Sequence, residues 1–361
     1  MPAAAACAAS RTATYRRRQP ERTVLYRTVQ SHLATWLELA QDESGRSAPA
    51  HVEREFHRYL ECGLLAHGFA RARCAACGHD FLVAFSCKGR GVCPSCNTRR
   101  MVETAAHLAD HVIPRLPVRQ WVLSVPKRLR YHLQADPAVQ NLALHIFLSA
   151  VEKGLRAACP AVQDNPTARI GAVAFIHRFG ALLNPHIHFH CVVVDGVFEA
   201  GADADLPVRF HEASAVSPEW LTGIHAQVRQ RLLRALTRRG LLEADDAEEM
   251  ASWEHGGGFS LDASVRIETN DRSGLERLLR YCARPVFALE RLRQIDAEHL
   301  VYESVKPGPG GSVSLLLTPL ELIERLAALI PVLSLSKGRR RAGIGIVTTA
   351  SWRRTRRYGR R

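Results

Sequence analysis

Apolar positions recur at helical spacing through Val24–Gln41 (VLYRTVQSHLATWLELAQ). Val29, Leu33, Trp36 and Leu37 share one face there and predict an amphipathic helix. Residues 53–66 predict a second helix, and Arg100–Leu116 a third, stopped by Pro114 and Pro117. Between them, residues 71–100 are rich in Cys, Gly and Arg and show little periodicity. Beyond Pro117 the pattern changes. Gln120–Val125 (QWVLSV) reads as a strand, and Asp136–Ala158 as a helix with Asp136 as its cap and Pro137 in its first turn. Gly171–Phe179 and His186–Phe198 are apolar and aromatic with a turn signal (GALLNP) between them, which predicts two antiparallel strands. Ala263–Glu268 predicts a further strand. Leu275–Ala283 predicts a helix capped by Ser273 and ended by Pro285. Residues 300–304 and 312–317 flank KPGPGG and predict a hairpin. Thr318 and Glu321 form a capping-box pattern ahead of a last helix. This organisation divides the chain into a loose basic N-terminus (1–22), a helical and Cys-rich domain (23–117), a strand-rich domain (118–330) and a basic tail (331–361).

Composition sharpens the picture. The chain has 361 residues, 47% of them hydrophobic, which suits a packed core. Its formal charge of +14 favours a polyanionic partner, most simply nucleic acid. That excess is unevenly placed. Residues 331–361 carry ten basic residues and no acidic one, so the remainder is only +4. A local excess remains between Cys87 and Tyr131, with nine Lys or Arg against two acidic residues. Lys88, Arg90, Arg99 and Arg100, then Lys127 and Arg128, are the candidate phosphate contacts. No apolar run reaches the roughly 18 residues a membrane helix needs, and no signal-peptide pattern opens the chain. A cytoplasmic location is expected, and with it metal binding rather than disulfides for the ten cysteines.

Cys74-x2-Cys77 and Cys93-x2-Cys96 form two knuckles separated by fifteen residues, a spacing typical of a structural zinc site. Cys87 is an alternative ligand; Cys62, His67 and His79 are weaker candidates. In LNPHIHFHCVVVDG, His186, His188 and His190 alternate, so a strand would put them on one face. Imidazoles so placed suit a divalent cation with positions left for phosphate oxygens and water. A third ligand is needed: His177 is the first choice and His186 the second. Tyr281, in LERLLRYCARP, has Arg277 and Arg284 on its helical flank. Metal and guanidinium groups nearby would make this hydroxyl a nucleophile toward phosphate.

In combination, FSCKGRGVCPSC with the following RRM, VRQWVLSVPKRLRY, FGALLNPHIHFHCVVVDGVF and RLLRYCARP resemble the IS91-like rolling-circle transposases, over about Tyr15 to Pro331. The resemblance implies an α+β chain: an N-terminal helical, zinc-ribbon-like DNA-binding domain, then an endonuclease domain of the HUH class (His, bulky hydrophobic, His). That domain would be an antiparallel sheet with helices on one side. It assigns the catalytic metal, Mg²⁺ or Mn²⁺, to His188 and His190. It favours His177 as the third ligand, where relatives often have Gln, over His186. It also implies structural Zn²⁺, single-stranded DNA at element termini and targets as substrate, no membrane, and contact with host replication machinery. Tyr281 would be the nucleophile that forms a 5′-phosphotyrosine link. Arg277 stands where many relatives carry a second tyrosine, so the chain resembles the single-tyrosine branch.

After IERLAALIP the resemblance breaks. One back-translation of RAGIGIVTTASWR, shifted by two bases, reads RRHRHRYYGVLA, close to the family's continuation. The segment from Arg341 therefore reads as out-of-frame translation. Two other classes stay open: a non-catalytic zinc-dependent DNA-binding protein (a decayed transposase), and a zinc hydrolase. The second lacks a carboxylate base such as the Glu of HExxH.

Overall fold

The computed structural model describes residues 17–330 apart from 46, 76–77, 202–206, 215, 255, 305–310 and 312, together with the backbone of 344–347. In chain order, α1 (Val24–Ser44) and α2 (Ala50–Glu61) precede a hairpin of β1 (Phe69–Arg73) and β2 (Asp80–Ala84). Then come α3 (Pro94–His111), β3 (Val118–Ser124), α4 (Lys127–Ala135), α5 (Pro137–Ala157), β4 (Ala172–Phe179) and β5 (Pro185–Val194). A short hairpin, β6 (Gly196–Glu199) and β7 (Arg209–Glu212), leads to α6 (Pro218–Thr237) and α7 (Ala244–Ser252). Short strands β8 (Ser260–Asp262) and β9 (Arg266–Ile267) precede α8 (Arg272–Cys282). The rest is β10 (Leu292–Gln294), β11 (Leu300–Glu303), β12 (Ser314–Leu317), α9 (Pro319–Leu329) and β13 (Ile344–Val347).

The chain is α+β and divides into two compact units, but not where the sequence divided it. Of the described residues, the first holds those within 17–101, 180–184 and 284–330; the second holds those within 102–179 and 185–283. Residues 284–330, expected in the strand-rich domain, therefore belong with the N-terminal unit. The reason is apolar complementarity. The buried face of α9 (Leu322, Ile323, Leu326, Leu329) packs against α1, whose Leu25, Val29, Leu33 and Trp36 are also buried. Trp36 Nε1 donates to Glu324 Oε2 at 2.8 Å, which satisfies the indole N–H of a largely buried ring. The expected capping box holds: Thr318 accepts from the Glu321 N–H, and Glu321 accepts from the Thr318 N–H. β10, β11 and β12 form an antiparallel sheet, with β11 and β12 as the expected hairpin.

The second unit is built on one antiparallel sheet in the order β13-β4-β5-β3-β8, with β9 also pairing β3. Strand alternation sends Ile187, Phe189, Cys191 and Val193 to one face of β5 and His188, His190, Val192 and Val194 to the other. Both faces are covered, which corrects the expectation of helices on one side only. The first face carries buried residues of α4, α5, α6 and α7, including Leu129, Phe147, Val228 and Met250. The second carries Ala105, Leu108 and Ala109 of α3 and Leu275, Leu278 and Leu279 of α8. With apolar residues on both faces, β5 reads as a nearly continuous apolar run after its histidines. No helix among the described residues is long and apolar enough to cross a membrane.

At the end of the sheet away from the histidines, Asp195 is 3% exposed and holds two arginines. Arg119 donates to it through Nε at 3.0 Å and Nη2 at 2.8 Å, and Arg266 donates through Nε at 2.8 Å. Truncating Asp195 would leave Arg119 charged, mostly buried and short of its carboxylate. Asp195→Ala is expected to cost about 3–5 kcal/mol of stability, read as a lower urea midpoint at unchanged slope.

β13 lies in the segment that the sequence reads as out of frame. Its backbone pairs antiparallel with β4, Ile344 opposite Phe175 and Val347 opposite Ala172.

Candidate functional site

In the second unit, three histidines converge from two strands. His177 on β4 stands directly across from His188 on β5, and His190 is two residues further along β5. All three are buried, and one ring nitrogen of each lies within 4.8 Å of the others. Their hydrogen bonds set the tautomers. A carbonyl only accepts, so His177 Nε2 carries the proton in its 2.7 Å bond to the Cys282 carbonyl, leaving Nδ1 as its ligand atom. By the same argument, His188 Nδ1 donates to the His186 carbonyl at 3.0 Å, leaving Nε2 as its ligand atom. His190 Nδ1 lies 2.9 Å from the side-chain amide of buried Gln120 on β3. With the amide oxygen turned to accept from Nδ1–H, Nε2 of His190 becomes a ligand atom too. Three imidazoles with fixed tautomers fit a divalent cation.

His186 stands apart from this set. Its ring is 4.8 Å from that of His188 but is not among the converging ligand atoms. Burial, with Arg130 adding to it, lowers its pKa to about 4, so it is neutral. Of the two candidates for third ligand, the geometry brings in His177. Gln120 was not singled out in the sequence. Its only signal was polarity at an inward position of an apolar strand. Gln120→Leu is expected to weaken divalent-cation affinity about 10–100-fold by freeing the His190 ring, measured by titration with Mn²⁺.

α8 brings Tyr281 to the same place. Asp271 caps this helix, accepting from the Gly274 N–H; the expected cap, Ser273, lies inside it. Leu275, Leu278, Leu279 and Cys282 are buried against the sheet. Tyr281 is thereby held at the edge, 40% exposed, with its ring 5.6 Å from that of His190 and nearly perpendicular to it. Cys282, whose carbonyl orients His177, is the next residue, so helix and triad are directly linked. Arg277 hydrogen-bonds Ser273 at 3.3 Å and lies 4.0 Å from Asp271. The helix ends at Cys282, so Arg284 lies outside it, which corrects the expectation that Arg277, Tyr281 and Arg284 share a helical flank.

The first unit holds a cysteine cluster that differs from the expected set. Cys62, Cys87, Cys93 and Cys96 place their sulfurs within 4.8 Å of one another. The separations Cys62–Cys96, Cys87–Cys96 and Cys93–Cys62 are 3.7, 3.5 and 3.6 Å. Four sulfurs at ~2.3 Å from a tetrahedral Zn²⁺ would stand ~3.8 Å apart, so the donor set fits zinc closely. Cys62 ends α2, Cys87 follows β2, and Cys93-x2-Cys96 opens α3. Backbone N–H groups of Cys87 and Gly89 donate to Cys62 and Cys87 sulfurs, both at 3.3 Å, and Arg18 donates to Cys62 at 3.5 Å. Hydrogen bonds from the Cys87, Cys93 and Cys96 thiols hold the Cys62 thiol well below the usual range.

Cys74 is not in this cluster, and Cys77 lies outside the described residues. The β1–β2 hairpin explains why. Its five paired positions put Phe69 and Ala84 at the base and Arg73 and Asp80 at the tip. Cys62 and Cys87 flank the base, whereas Cys74 follows the tip, with roughly 14 Å of strand between. There the Cys74 N–H donates to the His79 carbonyl at 2.9 Å and closes the turn. His67 and His79 are likewise outside the cluster.

The proposed phosphate contacts divide between the units. In the first, Lys88 adopts a left-handed backbone (φ 52°), and Arg100 donates to its carbonyl at 2.8 Å. Desolvation, then the nearby Arg90 charge, lower the pKa of Arg100. Arg99 sits in the same stretch of α3. In the second unit, Lys127 and Arg128 open α4, and Arg128 pairs with Asp246 of α7, which offsets its charge.

Comparison with protein families gives two matches. The family described as "Putative transposase" matches residues 171–346, which contain the three histidines and Tyr281. The family described as "Transposase zinc-binding domain", of the IS91 type, matches residues 28–125, which contain the four clustered cysteines. No curated protein and no solved structure matches the chain.

Proposed function

The chain is a transposase of the IS91 type, its zinc-binding domain ahead of its transposase domain; from that premise we propose that it nicks and rejoins single-stranded DNA through Tyr281 during rolling-circle transposition. The observation that carries this reading is the meeting of three buried imidazoles with Tyr281, 5.6 Å from His190 between ring centroids.

Mg²⁺ or Mn²⁺ held by His177, His188 and His190 would polarise the scissile phosphate and neutralise part of its charge. The protein residues do the rest. Tyr281 Oη loses its proton to solvent and forms a bond to phosphorus. The 3′-oxygen leaves and takes up a proton, giving a 5′-phosphotyrosine and a free 3′-OH. A later 3′-OH attacks the phosphotyrosine, joins the strands and restores the tyrosine hydroxyl. The phosphodiester energy is kept in the covalent link, so no nucleotide cofactor is required. Arg277 supplies positive charge one helical turn from Tyr281. Arg277 in place of a second tyrosine makes this a single-tyrosine scheme. Lys88, Arg90, Arg99 and Arg100 of the zinc-binding unit would grip the phosphates of the element's terminal DNA. The 3′-OH is the end that host replication machinery would extend, in the cytoplasm.

The test is incubation of the zinc-loaded chain with single-stranded oligonucleotides from the element's ends. Cleavage that requires Mg²⁺ or Mn²⁺ and spares the duplex supports the proposal. Equal cleavage in EDTA, or of the duplex, overturns it.

One observation favours a second reading, an inactive decayed copy. Residues 331–361 have ten basic and no acidic residues, and RAGIGIVTTASWR within them, from Arg341, fits a two-base shift of the family's continuation. Sequencing the gene decides this: a second frame downstream encoding YYGVLAP supports a lesion near 331–338, and its absence refutes it.

A further inference from the structure

The start of β5 gathers basic groups that no carboxylate answers. β4 pairs His177 with His188 and Phe179 with Pro185. Between those pairs β5 has two residues, His186 and Ile187, where β4 has one, Arg178. This is a β-bulge, a device that re-aims side chains beside functional sites. It sets the Arg178 backbone across from His186, whose ring is 4.8 Å from that of His188.

The Arg178 side chain runs into the face covered by α4 and α5. Its Nη2 donates to Oε1 of buried Gln140 on α5 at 2.9 Å, and Gln140 Nε2 donates to the Leu133 carbonyl of α4 at 3.4 Å. Arg130 lies one turn before Leu133 on α4. Its Nε donates to the Val125 carbonyl at 3.0 Å, and its charge acts on His186. The two arginines thus approach the bulge from the face opposite the triad. His186 joins them to the triad at the end of the sheet, where β4 stops and β5 begins.

Charge balance there points to a ligand. Both guanidinium groups are partly buried, and desolvation lowers the pKa of each. Among the described residues their hydrogen-bond partners are neutral oxygens, and no carboxylate pairs with either. Nε2 of His186 is also buried without a hydrogen-bond partner among the described residues. Arg119 of the same sheet is different, because both oxygens of Asp195 meet it. A desolvated cation without a counter-charge is costly, and an anion at this place would offset that cost. The guanidinium fork matches phosphate oxygens. A DNA strand carries a phosphate at every nucleotide, so a strand with one phosphate at the triad brings others past the end of the sheet.

We propose that Arg130 and Arg178 clasp one backbone phosphate of the DNA strand as it passes from the triad over the end of the sheet, beyond His186. This rests on the nicking reading for the identity of the strand, but its test does not depend on cleavage.

The experiment uses the full, zinc-loaded chain carrying Tyr281→Phe, so that binding is read without cleavage. Affinity for a fluorescent oligodeoxythymidine is measured by anisotropy over a range of salt concentrations. Arg130→Gln combined with Arg178→Gln is expected to make the slope of log affinity against log salt shallower by about 0.7, the value for one phosphate of a single strand. Arg130→Gln alone is expected to weaken binding about tenfold at low salt. Arg130→Lys, which keeps the charge, is expected to keep the parent slope. An unchanged slope in the double variant overturns the proposal. If the double variant shows a lower urea midpoint, Arg130→Gln decides alone, and unchanged affinity in it overturns the proposal. A slope loss in Arg130→Lys as large as in Arg130→Gln overturns it too, because charge would then not be the contact. Inorganic phosphate is the second arm. If it stabilises the parent but not Arg130→Gln while the slope for DNA is unchanged, the pocket holds a free anion and the DNA assignment is overturned. If the chain with Tyr281 intact forms no adduct while the slope change persists, the nicking reading fails and the phosphate contact stands.

Discussion

Tyr281→Phe is expected to eliminate the covalent DNA–protein product and to lower strand cleavage by on the order of 10⁴-fold or more. The substitution removes one oxygen and keeps the ring that meets His190. The hydroxyl belongs to a side chain 40% exposed at the edge of α8, so stability should change by no more than about 0.5 kcal/mol. Affinity for Mn²⁺ should also hold, because Tyr281 is not one of the three converging ligands. A large loss of cleavage with fold and metal retained is the signature of a missing nucleophile. Retained cleavage in this variant would mean that water, or another side chain, attacks the phosphate.

The second large effect concerns the zinc-binding unit. Cys62→Ser is expected to release the zinc and unfold this unit, whereas Cys74→Ser is expected to keep both. Structural zinc in small domains contributes on the order of 10–16 kcal/mol, more than a unit of this size can spare. The cluster joins the end of α2, the segment after β2 and the start of α3, so losing it disconnects three elements at once. Zinc content by atomic absorption, with circular dichroism, reads both variants. Zinc loss in Cys74→Ser and retention in Cys62→Ser would restore the paired-knuckle assignment.

What was legible in the sequence follows physical range. Local signals served well. Asp136 caps α5, and Thr318 with Glu321 boxes the start of α9, because both are decided within one helical turn. Alternation placed His188 and His190 on one face, and the neighbouring strand brought His177 opposite. Non-local arrangement was less visible. Two Cys-x2-Cys knuckles look like one site, but an unrecognised hairpin separates Cys74 from the cluster, and Cys62 enters from a helix 25 residues before Cys87. α4 and α6 were missed. KRLRYHLQA is short and mostly polar, and α6 mixes arginines among its apolar positions, so neither shows a clean stripe. The return of α9 to α1 depends on complementary apolar faces almost 300 residues apart, which no local pattern encodes.

The central claim, that Tyr281 is the residue joined to DNA, can be read directly. The chain is incubated with single-stranded DNA from the element's end and Mg²⁺, then denatured and digested with protease and nuclease. Mass spectrometry of the surviving nucleotide–peptide locates the link. The account predicts a 5′-phosphonucleotide on the tyrosine of the peptide containing Tyr281, absent when EDTA replaces Mg²⁺. A nucleotide attached to any other residue, or through a 3′-phosphate, would contradict it.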